Sequence, residues 1–195
     1  MVTEVFTVSE IELKDLVELT KEIENKELRR KTRELLENFE LSNDKFEQNG
    51  SDFEKIPCWI GGHHYYEGGL IDHTYSVTKL CISLSENFEN VYNKDLDVDS
   101  LISAALLHDL AKKFILNGMD GFKDYLLDHN VWISCELYSK DFPEKVIEII
   151  MGHGGETHEP IPKSDEGKIL HHADALDAGL NEEDPFNGVE IFGLQ

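Results

Sequence analysis

Arginine is nearly missing from this chain. Its 195 residues contain Arg29, Arg30 and Arg33 and no other, all in a charged segment near the N-terminus. No guanidinium stands further along to grip an anion with a bidentate fork, so lysine or histidine is left to supply positive side-chain charge there. Basic charge is scarce altogether: 18 Lys and Arg stand against 40 Asp and Glu, for a net charge of −22. The acidity is spread along the chain, and no basic run with interleaved aromatics appears. Both features argue against a nucleic-acid partner, whose affinity rests largely on phosphate neutralisation. A small phosphorylated metabolite suits such a surface better. No apolar run approaches the roughly 18 residues of a membrane span, and no signal peptide is visible, so no membrane partner is expected. Cysteine is limited to Cys58, Cys81 and Cys135, widely spaced and outside zinc-knuckle patterns, which fits a reducing, cytoplasmic setting. Repeats and long linkers are lacking too. With 40% hydrophobic residues, residues 1–195 read as a single domain with one core.

Against that background three stretches stand out: Gly68 to Thr74 (GGLIDHT), Leu106 to Lys112 (LLHDLAK) and His171 to Leu176 (HHADAL). Each drops imidazoles and carboxylates into an apolar helical run. From Leu70 to Leu84 the positions Leu70, Val77, Leu80, Cys81 and Leu84 share one helix face, and His73 completes that stripe. The run from Leu101 to Ile115 is apolar nearly all round and reads as one buried helix, with His108 and Asp109 in its middle. Asp174 follows Leu170 by four residues on a third apolar helix and projects towards the same interior.

A lone histidine on an apolar face is more often a hydrogen-bonded core residue than a ligand. The combination is harder to explain that way, because it demands several separately satisfied buried polar groups, each costing several kcal/mol if left unpaired. A divalent cation shared by His73, His108, Asp109 and Asp174 is the simpler account, since imidazole nitrogen and carboxylate oxygen are its usual ligands. His153 ends an apolar helix after Val146, Ile149 and Ile150 and is a further candidate. In the pair His171-His172, the spacing of three puts His171 on the face of Asp174; either can equally be structural. Lys112 and the pair His63-His64 are candidates for phosphate contact and general-acid work, against the plainer readings of a snorkelling lysine and a polar loop.

Outside the motifs, Ser9 to Ile23 and Lys26 to Phe39 read as two amphipathic helices, with a Ser9–Glu12 capping box and Glu22–Lys26 and Glu27–Arg30 pairs. Residues 41–69 are loop-like and expected over the mouth of the site, with Gly68-Gly69 permitting a tight helix entry. The tail from Asn181 is less regular and is expected to dock through Phe186, Val189, Ile191 and Phe192 or to form a subunit contact.

The order His73, His108-Asp109, Asp174, in the contexts GGLIDHT, ALLHDLAK and HHADALDA, resembles the HD superfamily of metal-dependent phosphohydrolases, over residues 61–180 or so. The resemblance implies an all-α fold: an HD-domain helical bundle, here with N-terminal accessory helices in residues 1–45. It carries His73, His108, Asp109 and Asp174 over as primary metal ligands and leaves one or two ions per chain open, with His153 and His171 available for a second. In a two-ion arrangement Asp109 bridges. Within the superfamily, Glu27 to Thr32 together with HHYYEGGLIDHT resembles a small archaeal group that opens pterin cyclic phosphates. That group implies Fe(II), with Mn(II) next, and a phosphodiesterase acting on a pterin or nucleotide-like metabolite, whose ring Trp59, Tyr65, Tyr66 or Trp132 would line. The alternatives are a nucleotidase or phosphomonoesterase on the same scaffold, and a non-catalytic interaction module held together by metal. A homo-oligomer is left open.

Overall fold

The computed structural model describes residues 10–45, 50–121, 128–154 and 160–181, and among them every regular element is helical. The α-helices are α1 (Leu13–Leu19), α2 (Lys26–Glu37), α3 (Gly69–Tyr92), α4 (Val98–Leu107), α5 (Lys112–Ile115), α6 (His129–Ser139), α7 (Glu144–Gly152) and α8 (Asp165–Leu180). Four of them start where a short polar side chain accepts the orphan amides of the first turn: Asn25, Asp97, Asp128 and Ser164. Helix α4 is the axis of the bundle, buried throughout from Ser100 to Leu107, with α3, α7 and α8 packed round it. Helices α1 and α2 lie against α3 and α4, and their Leu16, Leu19, Leu28 and Leu35 belong to the same apolar cluster as the bundle. Buried Thr32 and Ser103 hydroxyls, 2.8 Å apart, tie α2 to α4. The fold is thus all-α, as expected, and among the described residues no helix is long and apolar enough to cross a membrane.

Three local expectations are corrected. Helix α1 begins at Leu13 rather than near Ser9, which lies outside the described residues. Glu12 is its cap, boxed with Asp15 at 2.9 Å, while Glu54 takes the Leu13 amide at 3.0 Å. The Glu22–Lys26 pair does not form, because the chain turns between α1 and α2. Asp99 of α4 draws in the Glu24 and Asn25 amides there, at 2.6 and 2.8 Å. The Glu27–Arg30 pair does form, at 2.7 Å.

The third correction bears on the site. The apolar run from Leu101 to Ile115 is not one helix: α4 stops at Leu107, and His108 to Ala111 form a turn before α5. His108 turns its own Nδ1 onto the Ala105 carbonyl at 2.8 Å, in competition with the helix ladder. Leu110, Lys112 and Phe114 then bond back three residues instead of four, to Leu107, Asp109 and Ala111. Apolar periodicity does not record such side-chain competition. The tail beyond Asn181, with its expected docking residues, lies outside the described residues.

The entry to α3 depends on two glycines. Gly68 has φ +86°, a left-handed conformation, and a Cβ on Gly69 would come within 2.1 Å of the His64 carbonyl oxygen. Cys58 N–H donates to the His64 carbonyl at 3.2 Å and Leu70 N–H to the Ile56 carbonyl at 3.3 Å. Residues 56–69 are thereby folded back on the start of α3, which brings Cys58, Trp59 and His63 to one end of the bundle.

Candidate metal centre

Four elements deliver polar side chains to that end. His73 comes from the second turn of α3, His108 and Asp109 from the turn after α4, His153 from the end of α7, and Asp174 from the middle of α8. His73 Nε2 lies 3.1 Å from Asp174 Oδ1 and 3.5 Å from Asp109 Oδ2, and 3.4 Å from His108 Nε2. One ligand atom each from His73, His108 and Asp174, and one each from His108, Asp109 and His153, fall within 4.8 Å of one another. Two adjoining donor sets therefore share His108.

The tautomers follow from the partners. His108 Nδ1 faces the Ala105 carbonyl at 2.8 Å, His153 Nδ1 the Ile150 carbonyl at 2.6 Å, and His73 Nδ1 the Asp177 carboxylate at 2.7 Å. A carbonyl or carboxylate oxygen only accepts, so each Nδ1 carries a proton and each ring points its Nε2 inward, where a bound cation would take the lone pair. This is how metal-ligating histidines are oriented by outer partners. Asp109 supplies a second sign. Its Oδ2 receives Lys112 Nζ at 2.6 Å, whereas its buried Oδ1, 3.1 Å from His129 Nε2 but out of line with it, accepts no hydrogen bond. Such an orphaned acceptor among inward lone pairs fits a cation.

The electrostatics agree. Burial alone would raise the Asp109 carboxyl, but Lys112 and His108 hold it well below the ordinary range. Burial pushes His153 down to about 4, with His108 adding to the shift, so it is a neutral ring at pH 7. His73 goes the other way: burial lowers it, yet Cys58 and the carboxylates of Asp174 and Asp177 lift it well above its usual value. A proton on its Nε2 would sit between carboxylates, in the position a cation takes. For Lys112, burial is outweighed by Asp109, and its ammonium is held above its ordinary value. This lysine is 4% exposed and does not snorkel.

A cavity of about 220 Å³ opens onto the cluster, with Trp59, His63, Lys112, His129 and His153 in its wall together with Asp109 and Asp174. Of the candidate histidines, His63 faces this cavity, while His64 is buried behind His73, its Nε2 3.5 Å from Asp177 Oδ2. His171 does not enter the donor sets; its Nδ1 donates to the His153 carbonyl at 2.9 Å and braces the end of α7. His172 is exposed, in a groove beside Leu84 and Phe88.

Three participants escaped sequence reasoning. Asp177 lies three residues after Asp174 on one face, a spacing that had been available. His129 follows Asp128, whose side chain caps α6, and a histidine at a helix start carries no periodic signal. Cys58 lies in the run Ile56-Pro57-Cys58-Trp59-Ile60, which the sequence places over the mouth of the site without singling out the thiol.

Comparison with known proteins places these residues in a family. The HD domain model matches residues 70–179. The chain is 38% identical over 172 residues to the dihydroneopterin 2',3'-cyclic phosphate phosphodiesterase of Methanocaldococcus jannaschii, covering 86% of this chain and 69% of that one. It is 30% identical over 176 residues to 3'-5' exoribonuclease YhaM of Listeria monocytogenes and of Listeria innocua, covering 82% of this chain but only 51% of theirs. No solved structure matches significantly. The inward histidines and carboxylates of α3, α7, α8 and the turn after α4 fall within the matched region, and the chain belongs to the HD-domain family of metal-dependent phosphohydrolases.

Proposed function

We propose that the protein opens a cyclic phosphodiester on a small heterocyclic metabolite, a pterin being the first class to test. The observation that carries the reading is the cluster of His73, His108, Asp109, His153 and Asp174, of which Asp109, His153 and Asp174 reach the wall of one cavity. The choice of a cyclic phosphate is supported by the similarity to the Methanocaldococcus jannaschii enzyme. His73, His108, Asp109 and Asp174 would hold the first divalent ion, and His153 with His108 and Asp109 would offer a second position. Iron(II) suits this mixed shell best and manganese(II) next. Once bound, the ion supplies Lewis acidity and an acidified water at neutral pH.

The chain's own residues have separate tasks. Lys112, held as an ammonium by Asp109, offers fixed positive charge to a phosphoryl oxygen where arginine is missing. His63 is pushed down to about 4 by burial and by His73 and Lys112, so it is neutral before substrate binds. A phosphate arriving beside it raises that value, the direction required of a group that protonates the leaving oxygen. Among the aromatic candidates Trp59 is 40% exposed at the cavity and offers a face for a flat ring. Tyr66 is committed to Asp72 at 2.8 Å, Tyr65 donates to the Met119 carbonyl, and Trp132 packs edge-on against Phe114. The free cysteines fit a cytoplasmic setting.

A second reading, hydrolysis of RNA ends, is motivated by the YhaM similarity. The net charge of −22 disfavours it, because a polyanion is repelled. The test is metal analysis of protein purified without oxygen, coupled to hydrolysis of a panel of 2',3'-cyclic phosphates, phosphomonoesters and oligoribonucleotides. Iron or manganese at one or two per chain with cyclic-ester turnover, both lost in Asp109→Ala, is the expected result. Protein that binds no iron, manganese, zinc or cobalt and turns over nothing overturns the proposal.

A further inference from the structure

We infer that Cys58 ligates the metal ion, so that the first site carries a thiolate beside its imidazoles and carboxylates. The inference rests on the metal reading above and adds a donor to it. Cys58 is fully buried, and one ligand atom each from Cys58, His63 and His73 falls within 4.8 Å of one another. Its Sγ lies 3.7 Å from Asp109 Oδ2 and 3.5 Å from Lys112 Nζ. A second observation points to an ion at this carboxylate: Asp109, 2% exposed, meets Cys58 through Oδ2, while its other oxygen, Oδ1, lies 3.1 Å from His129 Nε2 and accepts no hydrogen bond.

The sulfur is placed by backbone rather than by chance packing. The Cys58 amide is fixed on the His64 carbonyl, and the Ile56 carbonyl on the Leu70 amide three residues before His73. Cys58 and His73 are thereby held as parts of one unit. Cys81 makes the contrast: it is equally buried but stands eight residues further along α3. On ligation the Sγ–H bond breaks, its proton leaves to solvent, and a sulfur lone pair forms the new bond with no change in oxidation state. A thiolate in the shell favours iron(II), cobalt(II) and zinc(II) over the harder manganese(II) and magnesium(II).

Cobalt(II) titration of the metal-stripped full-length protein, without oxygen, tests this. Visible d–d bands report that cobalt has bound, and a near-ultraviolet sulfur-to-cobalt charge-transfer band reports whether a thiolate holds it. Wild type should show both. Cys58→Ser should keep the visible bands and lose the near-ultraviolet one. The Cys81→Ser/Cys135→Ser double variant, in which Cys58 is the sole thiol, should keep both and decides the matter if Cys58→Ser fails to fold. Visible bands alone in wild type, or a charge-transfer band that survives Cys58→Ser or vanishes in the double variant, overturn the inference and leave the metal reading standing. Failure to bind cobalt at all overturns both.

Discussion

At the scale of single residues, the site is decided by what lies behind the donors. Asp177 does not face the cavity, yet it receives the Nδ1 proton of His73 and thereby aims the opposite nitrogen. Asp177→Ala leaves that N–H buried without a partner, and metal affinity should fall about 10–100-fold. Asp177→Asn, whose amide oxygen still accepts, should recover part of it. Chelator competition measures both, and an Ala variant that binds as tightly as wild type would show that His73 is oriented by other contacts. His73, His108, Asp109 and Asp174 were legible because each interrupts an apolar pattern where an unpaired polar group is costly. Their supports were not: a backbone carbonyl three residues back, or a carboxylate on another helix, has no signature until the chain is folded.

At the scale of elements, the segment from Ile56 to Gly69 connects two parts of the machinery. It carries Trp59 and His63 and ends in the glycine pair that opens α3. Because a Cβ at Gly69 meets a backbone oxygen at 2.1 Å, Gly69→Ala forces the segment off α3. A cost of about 1–3 kcal/mol is expected in urea unfolding, with loss of turnover. Gly179→Ala, where nothing lies within 4 Å of the added carbon, is the control and should be neutral or stabilising by up to about 1 kcal/mol. Equal stability of Gly69→Ala and wild type would mean that the close approach is readily relieved. The helices themselves followed from apolar spacing and capping residues. The stop of α4 at Leu107 did not, since the His108 side chain turns onto the Ala105 carbonyl in a run whose hydrophobicity continues.

At the scale of the whole molecule, the net charge of −22 presses outward on a fold whose own centre holds clustered carboxylates. Salt screens that repulsion, so metal-stripped protein should gain thermal stability between low and moderate sodium chloride, by about 2–4 °C for each kcal/mol of repulsion relieved. Differential scanning calorimetry with a chelator present measures it. A midpoint that stays flat or falls would mean that surface ion pairs such as Arg30–Glu34 and Lys94–Asp165 outweigh the repulsion. The same acidity repels polyanions, and no arginine stands beside Lys112 in the cavity wall.

The supports of the three inward histidines are unequal in a way that matters for how the gene can vary. His108 and His153 are steered by the carbonyls of Ala105 and Ile150, which every amino acid at those positions would also provide. Their aim is insulated from substitution at the supporting residue, provided the helix end survives. His73 is steered by the side chain of Asp177. A single codon change there would mis-aim the His73 ring while every inward side chain remains in place.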